Sequence, residues 1–300
     1  MKITYQNENK ERLDKYLLDH LDISRSQIKK VILNGQVTVN DQEASVHHWL
    51  KTGDKINYNP QEQKKDTTFV AIPKIVDKTE EFLVLEKPHG LLVHATDKGE
   101  VNTLADWVMK EFPESTKIGD DPNRPAIVHR LDKEVSGLMV IPLTQDSFDN
   151  IKKQFQDRTI KKEYTALVHG QLINDQGEIN TPLERDKKTG LMKVQSGKFS
   201  GQAALTNYQV IKKYINYTLA KVQIKTGRMH QIRAHLYSIG HSIVGDKLYQ
   251  TKDLRKKKKT LEQRIFLHAH YLKFKDLEGN WHEYNSPLPG ILQDFLKKLK

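Results

Sequence analysis

In this 300-residue chain the carboxylate best placed for chemistry is Asp132, in the run His129-Arg130-Leu131-Asp132-Lys133-Glu134-Val135-Ser136-Gly137-Leu138-Met139-Val140-Ile141. Apolar runs of strand length bracket it, Ala126-Ile127-Val128 before and Leu138-Met139-Val140-Ile141 after, with a Ser-Gly turn signal between. An acid held where the chain turns back between buried strands can serve as nucleophile, general base or general acid. Closed off from water, it needs a cation. Arg233 is the candidate. Thr226-Gly227-Arg228 turns into a helix read over 229–239, with Met229, Ile232, Leu236 and Ile239 as its buried stripe and His230, Arg233 and Tyr237 on a neighbouring face. The chain has no cysteine, which excludes thiol nucleophiles, thiolate metal sites and disulfides together.

The elements that must position these residues are strands with interspersed helices and no strict βαβ alternation. That pattern predicts an α+β fold with a mixed, largely antiparallel sheet. Phe82-Leu83-Val84-Leu85 reads as a buried strand, turned sharply by Pro88 and Gly90 and resumed by Leu91-Leu92-Val93-His94. Asn102-Thr103 caps a helix over 104–112, and a second helix over 147–156 puts Phe148, Ile151 and Phe155 on one face. The segment 158–170 ends as an alternating strand that carries Tyr164. Residues 183–203 are basic and Gly-rich, a protruding hairpin or loop. Strands follow around 208–210 and 218–224, a mobile basic loop spans 247–264 with the run Arg255-Lys256-Lys257-Lys258-Lys259, and a strand at 267–272 and a helix at 291–299 close the chain.

Residues 1–60 form a smaller leading module. Leu13, Leu17 and Leu21 share a helical stripe, Ile28, Val31 and Ile32 face inward from a second helix capped by Ser24 or Ser26, and Asn34-Gly35 ends it. A hairpin follows through Gln36-Val37-Thr38-Val39, a turn at Asn40-Asp41, and Lys55-Ile56-Asn57-Tyr58. Residues 61–70 read as a polar linker and 71–300 as the large domain. Formal net charge is +11, which favours a polyanionic partner, nucleic acid first. Residues 1–68 hold 11 lysines and arginines against 10 acids, so the excess belongs to the large domain. No apolar run approaches a membrane span, and residues 1–10 have no signal-peptide core. A cytoplasmic monomer is expected.

His-Arg-Leu-Asp at 129–132, Lys-Pro-x-Gly-Leu-x-Val-His at 87–94 and Gly-Arg-x-His-Gln-Ile-Arg at 227–233 together resemble the RluA-type RNA pseudouridine synthases. The leading module, with its Arg-Leu-Asp, Ser-Arg-Ser-Gln-Ile and Thr-Gly-Asp phrases, is similar to the S-four RNA-binding fold. The match covers nearly the whole chain and implies isomerisation of uridine in structured RNA, ribosomal RNA before transfer RNA, with no cofactor and no metal. By the resemblance Asp132 is the catalytic acid, Arg233 its ionic partner and Tyr164 the ring set against the flipped base. Arg130 fills the gap the base leaves, and His129 and Arg228 lie against the substrate. Arg25, Lys29 and Lys30 of the second helix would meet RNA phosphates. Val135 stands where the family commonly carries Thr.

Two other readings compete. The pairs His230/His235 and His268/His270 suggest a metal-dependent nuclease or phosphoesterase. A spacing of five does not put His230 and His235 on one helix face, and no carboxylate cluster accompanies either pair. A non-catalytic RNA-binding or ribosome-assembly protein would be expected to have lost Asp132, Tyr164 or Arg233, and all three are present.

Overall fold

A computed structural model describes the chain except residues 1, 22, 24, 60–70, 97–99, 122–123, 196–200, 257–260 and 262–263. The side chains of Arg25, Ser26, Lys30 and Lys256 also lie outside the description, as do Ser24 and the expected linker 61–70. The chain divides into two compact units, residues 1–66 and, apart from 95–99, residues 67–300.

In the first unit, helices Leu13–His20 and Arg25–Leu33 pack on a four-stranded sheet ordered Lys2–Thr4, Lys55–Tyr58, Val37–Val39, Gln42–Glu43. Leu13, Leu17, Ile28, Ile32, Val37 and Ile56 make its small core. Gly35, at φ +68°, ends the second helix in the left-handed conformation its type allows. Asn40 and Asp41 both take positive φ, 52° and 61°, as a two-residue hairpin turn requires.

The second unit is built on a nine-stranded sheet among the described residues. Its strands are β1 (Lys74–Lys78), β2 (Phe82–Lys87), β3 (Ser136–Pro142), β4 (Lys161–His169), β5 (Gln176–Asn180), β6 (Leu205–Tyr214), β7 (Tyr217–Ile224), β8 (Leu267–Lys275) and β9 (Trp281–Asn285). They lie in the order β5-β6-β7-β4-β8-β3-β2-β1, with β9 added to β8. All pairings are antiparallel except β3 with β8, so the sheet is mixed and largely antiparallel, as the sequence pattern implies. The parallel contact is close: a Cβ on Gly137, at φ +131°, would stand 2.2 Å from the Ala269 carbonyl oxygen.

Strands β2 and β3 read as unbroken apolar runs because both faces are covered. Leu83, Leu85, Met139 and Ile141 face one core, and Phe82, Val84, Leu138 and Val140 face the other. Helices α1 (Leu104–Glu111), α2 (Gln145–Gln156), α3 (Gln231–Ser238) and α4 (Gly290–Lys297) pack against these faces. Thr103 forms a capping box with Asp106, and Thr144 caps α2.

Several expectations need correction. Ala126-Ile127-Val128 is not a strand: Ala126 sits at φ +57°, and the segment enters the core as irregular chain. Leu91-Leu92-Val93-His94 does not resume β2 but turns away, with Leu91 and Val93 filling the same core. Helix α3 starts at Gln231, because His230 takes a left-handed φ of 52°. Ile239, expected on the buried stripe, is exposed. The hairpin expected within residues 183–203 is present, Leu183–Arg185 with Met192–Val194, while the expected basic loop over 247–264 contains a one-turn helix, Lys252–Lys256.

Candidate active site

Asp132 ends the irregular stretch before β3, and backbone hydrogen bonds hold its turn. The Val135 amide donates to the Asp132 carbonyl (3.0 Å), and the Gly90 amide donates to the Lys133 carbonyl (2.8 Å). Beneath it the fully buried Lys87 reaches the carbonyls of Pro88 (2.9 Å), Leu91 (2.8 Å) and Lys133 (3.4 Å). Burial lowers the Lys87 pKa to about 7, with Asp132 and Glu134 opposing the shift. Ser136 receives a hydrogen bond from Arg264 (2.5 Å) and pairs with His268 (2.8 Å). Val135 is buried in the core, where a methyl group suits better than a hydroxyl.

The opposing residue comes from α3. Gln231 pins the start of this helix: its carbonyl oxygen accepts from the Thr226 hydroxyl (2.7 Å) and the Arg228 amide (3.1 Å), and its amide nitrogen donates to Leu205 and Thr206. Arg233, 2% exposed, is thereby aimed at two carboxylates. Nη1 donates to Asp132 Oδ2 at 3.1 Å, while Nε and Nη2 grip both oxygens of Asp246 at 2.7 and 3.0 Å. Glu134 lies 3.6 Å from Nη1, and the Tyr249 ring packs on the guanidinium at 5.4 Å. Desolvation acts to lower the Arg233 pKa, but the hydrogen bond and charge of Asp246, then Asp132, outweigh it and hold the cation firmly charged.

Asp246 was not singled out by the sequence reading. It is 1% exposed, also accepts the amides of Leu248 (2.8 Å) and Tyr249 (3.0 Å), and follows Gly245, where a Cβ would strike the Arg264 carbonyl oxygen at 1.9 Å. A Gly-Asp pair ahead of a buried Tyr was the available signal.

Above this floor opens a cleft of about 490 Å³. Asp132, Tyr164, Arg130, Arg228, His129 and Arg233 all line it, so the structure brings together every site residue expected in the large domain. Tyr164, on β4, is 6% exposed; burial and then the charge of Asp132 raise its pKa, which keeps the phenol neutral. Exposed Arg130 donates to His94 Nε2 at 3.1 Å. Burial, followed by Arg130 and Arg124, depresses the His94 pKa to about 4, so this ring is a neutral acceptor. His129, expected against the substrate, lines the cleft and also supports the fold. Its Nε2 accepts the Val140 amide (3.0 Å), its ring stacks on Phe155 (4.7 Å), and burial pushes its pKa down to about 3. Half-buried Arg228 donates from Nε to the Ala203 carbonyl at 3.3 Å. In the small unit Lys29 is exposed on its helix, while the Arg25 and Lys30 side chains lie outside the described residues.

The histidine pairs serve hydrogen bonds within the protein. His235 bonds Thr206 and the Thr181 carbonyl, and His268 bonds Ser136 and Ser286. Among the described residues no group of three or more His, Cys, Asp or Glu side chains converges as a metal site would. No described helix is long and apolar enough to cross a membrane. The arrangement offers one carboxylate with a fixed counter-charge, a neutral phenol and several cationic side chains lining one cleft. That is equipment for acid–base or nucleophilic work on an anionic ligand.

Comparison with known proteins shows what the chain is similar to. The family model for RNA pseudouridylate synthase matches residues 81–238, and the S4 domain model matches residues 11–56. An uncharacterized RNA pseudouridine synthase of Aquifex aeolicus is 37% identical over 90% of this chain and 88% of its own. The ribosomal large subunit pseudouridine synthase D of Neisseria meningitidis serogroup A is 32% identical over 96% of this chain and 79% of its own. The structure of human RNA pseudouridylate synthase domain containing 4 superposes with a TM-score of 0.60 at 25% identity, covering 76% of this chain and 94% of that one.

Proposed function

This chain belongs to the RNA pseudouridylate synthase family, and on that premise we propose that it isomerises specific uridines of structured RNA, ribosomal RNA first, at the Asp132 cleft. The reaction breaks the bond from ribose C1′ to base N1, turns the base and joins C1′ to C5; the C5 proton is lost and N1 ends protonated. No group is exchanged with another molecule, so the residues of the cleft suffice in this reading.

Asp132 supplies the carboxylate, adding to the sugar or assisting elimination and proton movement. The observation that carries this role is Arg233, held by Asp246 so that one Nη remains for Asp132. A uridine in a helix cannot reach the site, so the nucleotide is flipped into the cleft. Tyr164 takes the base as a neutral stacking face, and Arg130, resting on His94, moves into the vacated stack with its planar guanidinium. The leading module adds affinity for structured RNA through the helix carrying Arg25, Lys29 and Lys30, ahead of a separate large domain from about residue 71. Ribosomal RNA is favoured because the Neisseria relative is named for the large ribosomal subunit. Such a substrate places the enzyme in the cytoplasm, and a complete site within one chain is consistent with a monomer.

The test is incubation with ribosomal and transfer RNA transcripts lacking pseudouridine, with chelator present, followed by site-by-site mapping. New pseudouridine in ribosomal RNA with the wild type and none with Asp132→Ala is the expected result. Product from the variant would remove Asp132 from its role, and product only in transfer RNA would change the substrate class.

A further inference from the structure

Two residues before Tyr164 on β4, Lys162 opens on the same cleft. Its ammonium lies 4.7 Å from the centre of the Phe155 ring. It also lies beside the turn at Gly227, where an added Cβ would come 3.8 Å from Nζ. Lys162 is half-buried, yet among the described residues it pairs with no carboxylate. Lys87, the other buried lysine of the sheet, is met by three backbone carbonyls, and two lysines nearer solvent have carboxylates: Lys221 has Glu163 at 3.7 Å and Lys273 has Glu283 at 3.0 Å. Burial lowers the Lys162 pKa to about 8, and no neighbouring acid opposes the shift. A cation taken partly out of water without a counter-charge costs stability. The ring of Phe155 offsets only part of that cost. The missing anion therefore comes with a ligand.

Geometry narrows what that ligand is. Residues two apart on a strand are separated by about 6.6 Å. This is comparable with the distance from a nucleobase to the phosphate of its own nucleotide. With a base on Tyr164, the backbone of the same nucleotide falls at Lys162 and at Arg228, which follows Gly227 and has guanidinium donors to spare beyond its bond to Ala203. Resting on the reading of this cleft as the site of uridine isomerisation, we propose that Lys162, with Arg228 beside it, binds the phosphodiester of the flipped nucleotide. Lys162 is then a binding residue, and its contact is made with the substrate as it is with the transition state.

The experiment compares wild type, Lys162→Met and Lys162→Arg on a pseudouridine-free large-subunit ribosomal RNA transcript, measuring binding from 50 to 300 mM KCl and steady-state turnover. Lys162→Met should raise KM roughly tenfold with kcat within about threefold, and lower the slope of log affinity against log salt by about one; Lys162→Arg should restore both. The melting temperature of Lys162→Met should equal or exceed that of wild type, since no ion pair is lost, so its raised KM is not misfolding. An unchanged KM and salt slope would overturn the proposal. A weakened KM with an unchanged slope would also overturn it, pointing to a base carbonyl rather than a phosphate. A large fall in kcat alone would move Lys162 into the chemistry and overturn it too. If wild type made no pseudouridine the enzymatic reading would fail separately, while the salt slopes would still decide whether Lys162 meets a phosphate.

Discussion

At the floor of the cleft Arg233 is shared between Asp132, 3.1 Å from Nη1, and Asp246, 2.7 and 3.0 Å from Nε and Nη2. In the wall, Lys162 has an aromatic ring beside it and no carboxylate among the described residues. Both are cations in one cavity, but their charges are handled in opposite ways. The floor is complete without substrate: buried, bidentate and rigid, it fixes the acid before RNA arrives, which is where preorganisation lowers a barrier. The wall is incomplete, and the cost of an unpaired cation is recovered only when an anion enters. On the proposed reading, chemistry belongs to the first arrangement and affinity to the second.

Removing Asp132 and removing Asp246 should therefore fail differently. Asp132→Ala should lower turnover by about 10⁴-fold or more, while its melting temperature stays within a few degrees of wild type because Arg233 keeps Asp246. Quantitative pseudouridine mapping and thermal unfolding on the same preparation check both halves; a large loss of stability would mean Asp132 is needed for the fold. Asp246→Ala strands Arg233 in the interior and should cost about 3–5 kcal/mol. Turnover should fall roughly 10- to 100-fold through a looser Arg233. Asp246→Asn, which keeps the shape and the amide contacts, should recover part of the stability. If Asp246→Ala left both stability and kcat unchanged, the floor would not be the braced unit described here.

How much of this was legible in the sequence depends on how far apart the partners are. Asp132, Tyr164 and Arg233 lie in short contiguous phrases with turn or helix signals attached, and all three line the cleft. Asp246 stands between the elements the sequence reading named, and its meaning comes from a helix residue whose aim only the folded chain reveals. His94 was read as part of a continuing strand, so its contact with Arg130, 36 positions away, had no local signal. Lys87 looked like the polar end of a strand, yet it is fully buried against carbonyls on both sides of the turn. Ala126-Ile127-Val128 shows the reverse error. Apolar composition marks burial, and burial does not require a strand.

The wall gives the smaller effects. The folded-state pKa of Lys162 is lowered to about 8 from an unfolded value near 10.4. Between those values the unfolded chain holds more protons, so stability should rise as pH climbs from about 8 to 10.4 and the penalty should be fully present below 8. Lys162→Met lacks the titration, so its melting temperature should exceed that of wild type at pH 7, with the difference shrinking as pH rises from 8 and vanishing above about pH 10.4. A constant difference across that range would mean Lys162 is already compensated in the free protein.

The weakest expected effect lies outside the cleft. Lys29, exposed on the second helix of the leading module, has none of the burial that makes Lys162 costly. Lys29→Gln should leave stability unchanged, weaken RNA binding by only a few-fold and reduce the salt slope by about one, with kcat untouched. Lys29 and Lys162 would then share a partner chemistry while differing in stability cost, and the double variant should show additive losses in binding. Strong non-additivity would mean that module and cleft do not meet the RNA independently, and that affinity is not divided between them as the charge pattern suggests.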